Sequence, residues 1–259
     1  MGLLQLIGTP TKESGLLEWV AFLATKYSST FLKATWVTLY IAVIGTILGF
    51  VLGFLIGVVN TTKIAPEDSA VKKVVFRIIK VIVSVYMEIF RDTPMIVQGM
   101  VIYYGLRQGN VMITSAMAGI LVTLLNTGAY MGETVRGGIN SVDPGQKEGA
   151  LAMGMSHAGA MFYVVIPQAL KNIFPEMGNT FLNNLKMTSV LNVIGVTELF
   201  LAAKTAGGSY YKYFEAYLVI AVIYLVLCFA FNRIFLVAEK KLQGRSDYEI
   251  ATEYLEEEN

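Results

Sequence analysis

Residues 36–59 form a run of 24 residues without a charged side chain. A helix of that length extends about 36 Å, which exceeds the roughly 30 Å of hydrocarbon in a bilayer. A second uncharged run covers residues 111–132. Because a bilayer core has no water to satisfy the backbone, segments that cross it must be helices or closed barrels. The two runs therefore predict an all-α, polytopic transmembrane helical bundle.

The composition supports this prediction and excludes other classes. Hydrophobic residues make up 55% of the chain and charged residues only 15%, whereas soluble domains carry about 25% charged residues. A net charge of +1 gives no case for nucleic-acid binding. The single cysteine, Cys228, cannot form an internal disulfide, so it does not report a redox compartment. We find no constellation of nucleophiles, paired carboxylates or metal ligands, and therefore expect no enzymatic activity and no metal.

The hydrophobic pattern divides the chain into three regions with five predicted spans. Residues 1–30 are expected to form an N-terminal arm or interfacial helix rather than a signal peptide, residues 31–240 the transmembrane domain, and residues 241–259 an acidic cytosolic tail. Segments 60–80, 134–171 and 233–259 carry 12 Lys and Arg residues, against 6 in segments 1–35, 107–110 and 203–215. The positive-inside rule then places the N-terminus outside and the C-terminus in the cytosol.

Glycine recurs every four residues along the first predicted span. Such spacing produces a flat ridge on one side of a helix, which another helix backbone can approach closely. The partner could be a helix of the same chain or a second subunit, and the spacing does not decide between them. The ridge consists of Gly45, Gly49, Gly53 and Gly57.

A helix break is predicted at residues 91–94. Pro94 has no backbone N–H and disfavours helical geometry at the residue before it. Lys80 and Glu88 interrupt the preceding run, which predicts two short half-helices around the break rather than two full spans. Arg91 could stabilise the kink or bind a carboxylate.

Polar side chains on two apolar segments are candidates for a substrate path. A charge at the bilayer centre costs about 2.5–3.5 kcal/mol on insertion scales, so these groups should face a cavity or a buried partner. Glu133 could instead pair with Arg136, and a buried Lys186 would need a local acceptor such as Asn183. The candidates are Asn126, Tyr130, Glu133, Asn179, Lys186, Thr188 and Ser189.

Residues 140–167 form a polar loop that contains a short predicted helix. Asp143 is placed as its N-cap, Pro144 as its first residue and Gln146 for a reciprocal cap. Gly154 follows as a stop signal, which predicts a helix over residues 144–152. Gly149 and Ala150 would give this helix a face small enough for another protein to approach. An ordinary amphipathic connector is the alternative.

The spacing of this loop resembles the cytoplasmic loop of ABC importer permeases. There, Glu-Ala-Ala is followed by three residues, Gly, nine residues and Ile-x-Leu-Pro; here the corresponding residues are Glu148-Gly149-Ala150, Gly154 and Val164-Val165-Ile166-Pro167. Further motifs are similar to those of the polar amino-acid subfamily, of the histidine, glutamine and arginine type. Residues 91–98 (RDTPMIVQ) resemble RGTPLLVQ, residues 129–139 AYxxExxRGGI, residues 167–170 PQAL, residues 178–179 GN, residues 185–189 (LKMTS) LKDTS and residues 194–199 IGVxEL.

The resemblance implies a type I ABC importer permease-like fold that takes up polar amino acids through a bacterial-type cell membrane. It implies three kinds of partner: a cytosolic ATPase dimer, a second permease that is a copy or a paralogue, and an extracellular solute-binding protein. ATP and Mg²⁺ would be bound by the ATPase, since this chain lacks a GxxxxGK[ST] loop. The residues expected to couple to the ATPase are Gln146, Glu148, Gly149, Ala150 and Gly154.

Gly149 and Met187 are two of the departures from the family pattern. Gly149 replaces an alanine and stays small. Met187 replaces the acidic residue of LKDTS, which weakens the case for an acidic group there that recognises a cationic substrate. An ion-gradient-driven secondary transporter is the alternative function, although such proteins usually have more spans and an inverted repeat.

Overall fold

A computed structural model describes residues 9–11, 13–62, 64 and 68–243. The described chain is helical throughout, which confirms the predicted all-α class. Residues 1–8 of the predicted arm, Pro66 and residues 244–259 of the predicted acidic tail lie outside the described residues. The helices are α1 Leu16–Lys26, α2 Ser28–Thr61, α3 Ala70–Asp92, α4 Met95–Gln108, α5 Ser115–Asn140, α6 Pro144–Ala152, α7 His157–Ala160, α8 Ile166–Met187, α9 Leu199–Gly208 and α10 Tyr213–Gln243; a π-helical segment, Met161–Val165, precedes α8, and a 3-10 segment, Thr188–Ile194, follows it.

Helices α2 and α10 are long and apolar enough to cross a membrane, and the first contains the predicted span 36–59. The residues from His157 to Ile194 pass the same test together with α9, from which they are bent by 55°. The described chain therefore contains two candidate spans, or three if the bent pair is one span, and the predicted count of five is not confirmed. Helix α5 has 26 residues, enough length to cross, but polar and glycine residues lower its hydropathy.

The glycine ridge of α2 packs against α5 of the same chain, and we call this contact the α2–α5 seam. A Cβ atom added to Gly45, Gly49 or Gly53 would lie 2.5–2.6 Å from the Cβ of Thr123, Thr127 or Met131, respectively. Gly57 meets Val135 in the same way. Because α5 already occupies this face, the ridge serves internal packing and not a contact between subunits.

The break between α3 and α4 lies at Thr93 and Pro94, as predicted. The prediction of two short halves is wrong for α3, which has 23 residues and is capped by the side chain of Ser69. Its charged residues do not interrupt it because they lie outside the core. Lys80, for example, donates to the carbonyl of Thr62 at 2.9 Å, and Glu88 is exposed.

Helix α1, in the predicted N-terminal arm, packs on the bundle. Its buried residues Trp19, Phe22 and Leu23 contact a cluster formed by α9 and α10. At its end, Lys26 donates to the hydroxyl of Tyr210, whose ring packs on Trp19 and Phe22. The loop between α9 and α10 is therefore held against α1.

Candidate functional site

A polar cavity of about 580 Å³ opens between the α3–α4 break, α5 and α8. Its volume falls in the range of small-molecule sites, roughly 300–1,000 Å³. Twelve of its fifteen lining residues have polar or charged side chains. The lining residues are Arg91, Asp92, Thr93, Pro94, Met95, Asn126, Thr127, Tyr130, Thr134, Glu176, Asn179, Thr180, Asn183, Asn184 and Met187.

One wall of the cavity is held by the side chain of Gln98, which is buried one turn into α4. Its Nε2 donates to the carbonyl oxygens of Phe90 and Thr93, each at 2.9 Å. Asn126 of α5 donates to the same Phe90 carbonyl at 3.2 Å and to Oε1 of Gln98 at 3.1 Å. These bonds satisfy carbonyl groups at the end of α3, where the break at Pro94 leaves no helical partner. The network fixes the position of the backbone at residues 91 and 92, at the end of α3.

The opposite wall is held by Asn184 of α8, whose side chain joins three helices. Its Nδ2 donates to Oγ1 of Thr46 on α2 and to Oγ1 of Thr127 on α5, both at 2.8 Å. All three side chains are buried. Buried polar groups that are fully paired rigidify their surroundings, so this network holds α8 against the α2–α5 seam.

Three predicted substrate-path residues line the cavity together, namely Asn126, Tyr130 and Asn179. Both predicted kink residues, Arg91 and Pro94, line it as well. The guanidinium of Arg91 lies 5.9 Å from the ring centroid of Tyr130, whose hydroxyl donates to the Arg91 carbonyl at 3.3 Å. Arg91 is thus both a part of the break and a charged wall of the cavity.

The other four candidates do not line the cavity. Glu133 forms an ion pair with Arg136, the structural alternative foreseen from the sequence. Thr188 is buried and donates to the carbonyl of Leu185 at 2.9 Å, and Ser189 lies beside it in the 3-10 segment. Lys186 is exposed instead of buried, and it forms no hydrogen bond with Asn183 in the described part of the chain.

Several residues of the site were not singled out from the sequence as ligands or supports. Gln98 and Asn184 support the two walls, and Asp92, Glu176 and Thr127 contribute to the lining. For Gln98 a local signal existed, because it lies one turn after a proline that frees carbonyl groups. For Asn184 there was none, since its partners are 138 and 57 residues away.

Helix α6 has the bounds that the sequence predicted, Pro144–Ala152. Oδ1 of Asp143 accepts from the backbone N–H of Gly145 at 2.8 Å and caps the helix. Gly154 has φ +88°, a conformation that favours glycine. The N–H groups of Gly154 and Met155 satisfy the last carbonyls of the helix at 2.9 and 3.1 Å. Helix α6 is therefore short and has both of its ends capped.

Two expectations about α6 are wrong in detail. The side chain of Gln146 makes no reciprocal cap; its Oε1 accepts from Nε2 of Gln168 at 3.4 Å. Ala150 is 2% exposed and packs toward the chain's own core, so it cannot be part of an outward small face. Glu148 and Gly149 are exposed, and nothing lies within 4 Å of a Cβ built on Gly149.

Glu198 is a buried carboxylate whose structural role the sequence did not reveal. It begins α9 and accepts from the backbone N–H groups of Phe200 and Leu201, both at 2.8 Å. Tyr224 of α10 donates to it at 3.2 Å. These bonds hold α9 at its bend away from α8 and the 3-10 segment.

Residues 69–244 match the family described as the binding-protein-dependent transport system inner membrane component. Two curated relatives come from Bacillus subtilis (strain 168). The probable amino-acid permease protein YxeN is 39% identical over 152 residues, which are 58% of this chain and 68% of the relative. The arginine transport system permease protein ArtQ is 35% identical over 164 residues, 63% of this chain and 75% of the relative.

Solved structures show the same fold. A crystal structure of an amino acid ABC transporter with histidines contains a chain that is 36% identical, with a TM-score of 0.74 over 84% of this chain and 96% of that one. A chain of the MetNI methionine ABC transporter in an inward-facing conformation aligns with a TM-score of 0.69 over 84% and 98%, at 19% identity.

Proposed function

We propose that this chain, which belongs to the family of binding-protein-dependent transport system inner membrane components, takes up polar amino acids through its cavity between α5, α8 and the α3–α4 break. It is a multi-pass permease subunit of an ABC importer, the component that crosses the membrane and not the one that hydrolyses ATP. The polar cavity carries the substrate proposal. The names of relatives support it, since they describe permeases for amino acids, arginine and glutamine.

The cavity offers groups of both signs to an amino acid. Arg91 supplies a guanidinium for a carboxylate, and such pairs are among the strongest hydrogen bonds in proteins. Asn126, Asn179 and Tyr130 supply polar groups on α5 and α8. A zwitterion that enters the membrane domain therefore exchanges its water for fixed partners, which lowers the cost of its transfer.

The second part of the proposal assigns α6 to the cytosolic ATPase dimer. Glu148 and Gly149 are exposed on this helix beside Gln146, and Gly154 ends it. The capped ends favour movement of α6 as a rigid body when the ATPase, which holds ATP and Mg²⁺, closes and reopens. Gly149 leaves room for a partner surface. Glu148 could then pair with a basic side chain of the ATPase.

The assembly would contain two permeases, which are copies or paralogues, and an extracellular solute-binding protein that delivers the substrate. The Lys and Arg distribution supports a cytosolic position for the loop of residues 140–167 and the C-terminus, with the N-terminus outside. The alternative of an ion-gradient-driven transporter finds no support in the fold or in the relatives.

Reconstitution tests both parts. Proteoliposomes that contain the permease with its ATPase should take up labelled amino acids when ATP and the binding protein are present. Uptake that an ion gradient drives without ATP would contradict the proposal.

Gly154→Asp should leave the complex in the membrane and uncouple ATP hydrolysis from uptake. Gly15→Asp, at another glycine with open space around it, is the matched control and should transport normally.

A further inference from the structure

We infer that the cavity selects amino acids with a cationic side chain, because its lining carries two carboxylates without an ion pair in the described residues against one guanidinium, and hydrogen bonds within the protein use many of its other donors. This inference rests on the proposed function, and it names the substrate class of the same site. It follows from how the polar side chains of the lining are already paired. The protein's own hydrogen bonds use the side-chain donors of Asn126 and Asn184 and of most hydroxyl groups, while Arg91, Asn179 and Asn183 keep N–H groups for a ligand.

The two asparagines that support the walls have no N–H group left for a ligand. Asn126 commits its Nδ2 to two acceptors, the Phe90 carbonyl and Oε1 of Gln98, at 3.2 and 3.1 Å. Asn184, which is 5% exposed, commits its Nδ2 to two threonine hydroxyls at 2.8 Å. An amide nitrogen has two hydrogens. What each residue can present to the cavity is therefore its carbonyl oxygen, an acceptor.

Most hydroxyl groups of the lining likewise donate their hydrogen within the protein and not to a ligand. Four of the five donate to an acceptor of the protein, so a ligand meets an oxygen whose hydrogen points away; the fifth, on Thr127, is buried and accepts from Asn184. These bonds run from Thr93 to the Ile89 carbonyl at 2.6 Å, from Thr134 to the Tyr130 carbonyl at 3.3 Å, from Tyr130 to the Arg91 carbonyl at 3.3 Å and from Thr180 to the sulfur of Met131 at 3.7 Å.

The charged groups of the lining give the same result. The lining contains one guanidinium group, on Arg91, and two carboxylates, on Asp92 and Glu176. Neither carboxylate forms an ion pair within the described residues; Glu176 accepts from Asn179 at 3.5 Å. An amino acid's carboxylate is matched by Arg91 and its ammonium by one acid. The second acid is then left for a positive side chain, while an acidic side chain would be repelled.

The position of one acid distinguishes this chain from the subfamily pattern. Asp92 stands where the RGTP signature has glycine, and Met187 stands where LKDTS has an acid. Both residues line the same cavity. The end of α3, where the Gln98 and Asn126 network fixes the backbone, therefore supplies a carboxylate in place of the one that α8 lacks at residue 187.

Equilibrium binding to the permease–ATPase complex in lipid nanodiscs, without the binding protein, tests the selectivity of this chain directly. The probes are labelled arginine, glutamine and glutamate. The wild type should bind arginine more tightly than glutamine, and glutamate most weakly. Asp92→Asn and Glu176→Gln should each weaken arginine binding about tenfold, the typical effect of losing a charged hydrogen bond. The affinity for glutamine should change less than about threefold, because one carboxylate remains in each variant to pair with its ammonium group.

Glu88→Gln is the matched control, because Glu88 lies one turn before Asp92 on α3 and does not line the cavity. This variant should leave the ratio of the arginine affinity to the glutamine affinity unchanged. Asp92→Glu should retain most of the preference. An unchanged ratio in both acid variants, or a wild type that binds glutamate as tightly as arginine, would overturn the inference while amino-acid transport stands. A wild-type complex that neither binds nor takes up any amino acid would overturn the proposed function itself.

Discussion

The glycines of the α2–α5 seam and those of α6 show two opposite uses of the same residue. In the seam, a Cβ on Gly49 or Gly53 would overlap atoms of α5 at 2.5 Å. On α6 and at its end, a Cβ on Gly149 or Gly154 would meet nothing within 4 Å. The first set is small because a neighbour of the same chain fills the space. The second set lies in open space that a partner can fill.

This difference separates the seam, which must keep its packing, from α6, which must stay accessible to a partner. Closely packed interiors have little tolerance for added atoms, so the seam holds the helices that shape the cavity. Helix α6 packs inward through Ala150 and leaves Glu148 and Gly149 outside. Substitutions in the seam should therefore act on stability, and substitutions on α6 should act on coupling.

The largest effect is expected from Gly53→Ala, which breaks the seam. The added Cβ would lie 2.5 Å from the Cβ of Met131 and 2.9 Å from the backbone nitrogen of Gly132, and backbone cannot move aside. Overpacking typically costs about 1–3 kcal/mol, and this site should lie at or above the upper end. Thermal unfolding of the purified permease, followed by size-exclusion chromatography, measures the loss.

Gly137→Ala on α5 is the control for that substitution, since nothing lies within 4 Å of a Cβ there. It should unfold at or slightly above the wild-type temperature, because alanine favours a helix over glycine. If Gly53→Ala and Gly137→Ala unfold alike, the seam is not the packed element that we describe.

Asn184→Leu tests whether the seam also depends on the network that ties α8 to it. Two buried hydroxyl groups, on Thr46 and Thr127, would lose their partner, at a cost of about 1–3 kcal/mol. The same unfolding assay applies. Asn183→Leu changes the adjacent, exposed residue and should cost less than about 0.5 kcal/mol. Equal destabilisation by the two variants would argue against the network.

The sequence predicted the glycine ridge of α2 and the bounds of α6 because both depend on local rules. Four-residue spacing sets one face of a helix, and the cap at Asp143, the proline after it and the glycine at residue 154 set the limits of α6. The break at Pro94 follows from the missing N–H. What the spacing left open was the partner of the glycine ridge, because that depends on how distant segments meet.

The polar residues of the site were predicted less well, for two physical reasons. Networks such as that of Asn184 join segments far apart in the chain, so no local pattern marks them. The path after Met187 changes from an α-helix to a 3-10 segment, which has 3.0 residues per turn instead of 3.6. Thr188 and Ser189 are candidates from the sequence as polar residues of an apolar segment, and this change of path places Thr188 in the core.

A smaller effect is expected from Gly154→Ala, which strains the end of α6 without filling any space. The residue has φ +88°, and a side chain there costs about 1–2 kcal/mol locally. We expect the unfolding temperature of the bundle to change little and the ratio of uptake to ATP hydrolysis to fall severalfold. Gly195→Ala imposes the same strain at φ +81° in the bend before α9, away from α6, and should keep the ratio. A lower ratio in both variants would assign the effect to strain in general.

The smallest effect is expected from Gly149→Ala, and it gives the sharpest test of the comparison. A methyl group here meets nothing in the chain, and alanine stabilises a helix by about 0.5–1 kcal/mol relative to glycine. Both unfolding and coupling should stay near wild type. Gly149→Leu should be equally well folded, but its longer side chain would occupy the space left for the ATPase, so the ratio of uptake to ATP hydrolysis should fall. If the leucine variant couples normally, the open space at Gly149 is not a docking surface, and the contrast with the seam lies in packing alone.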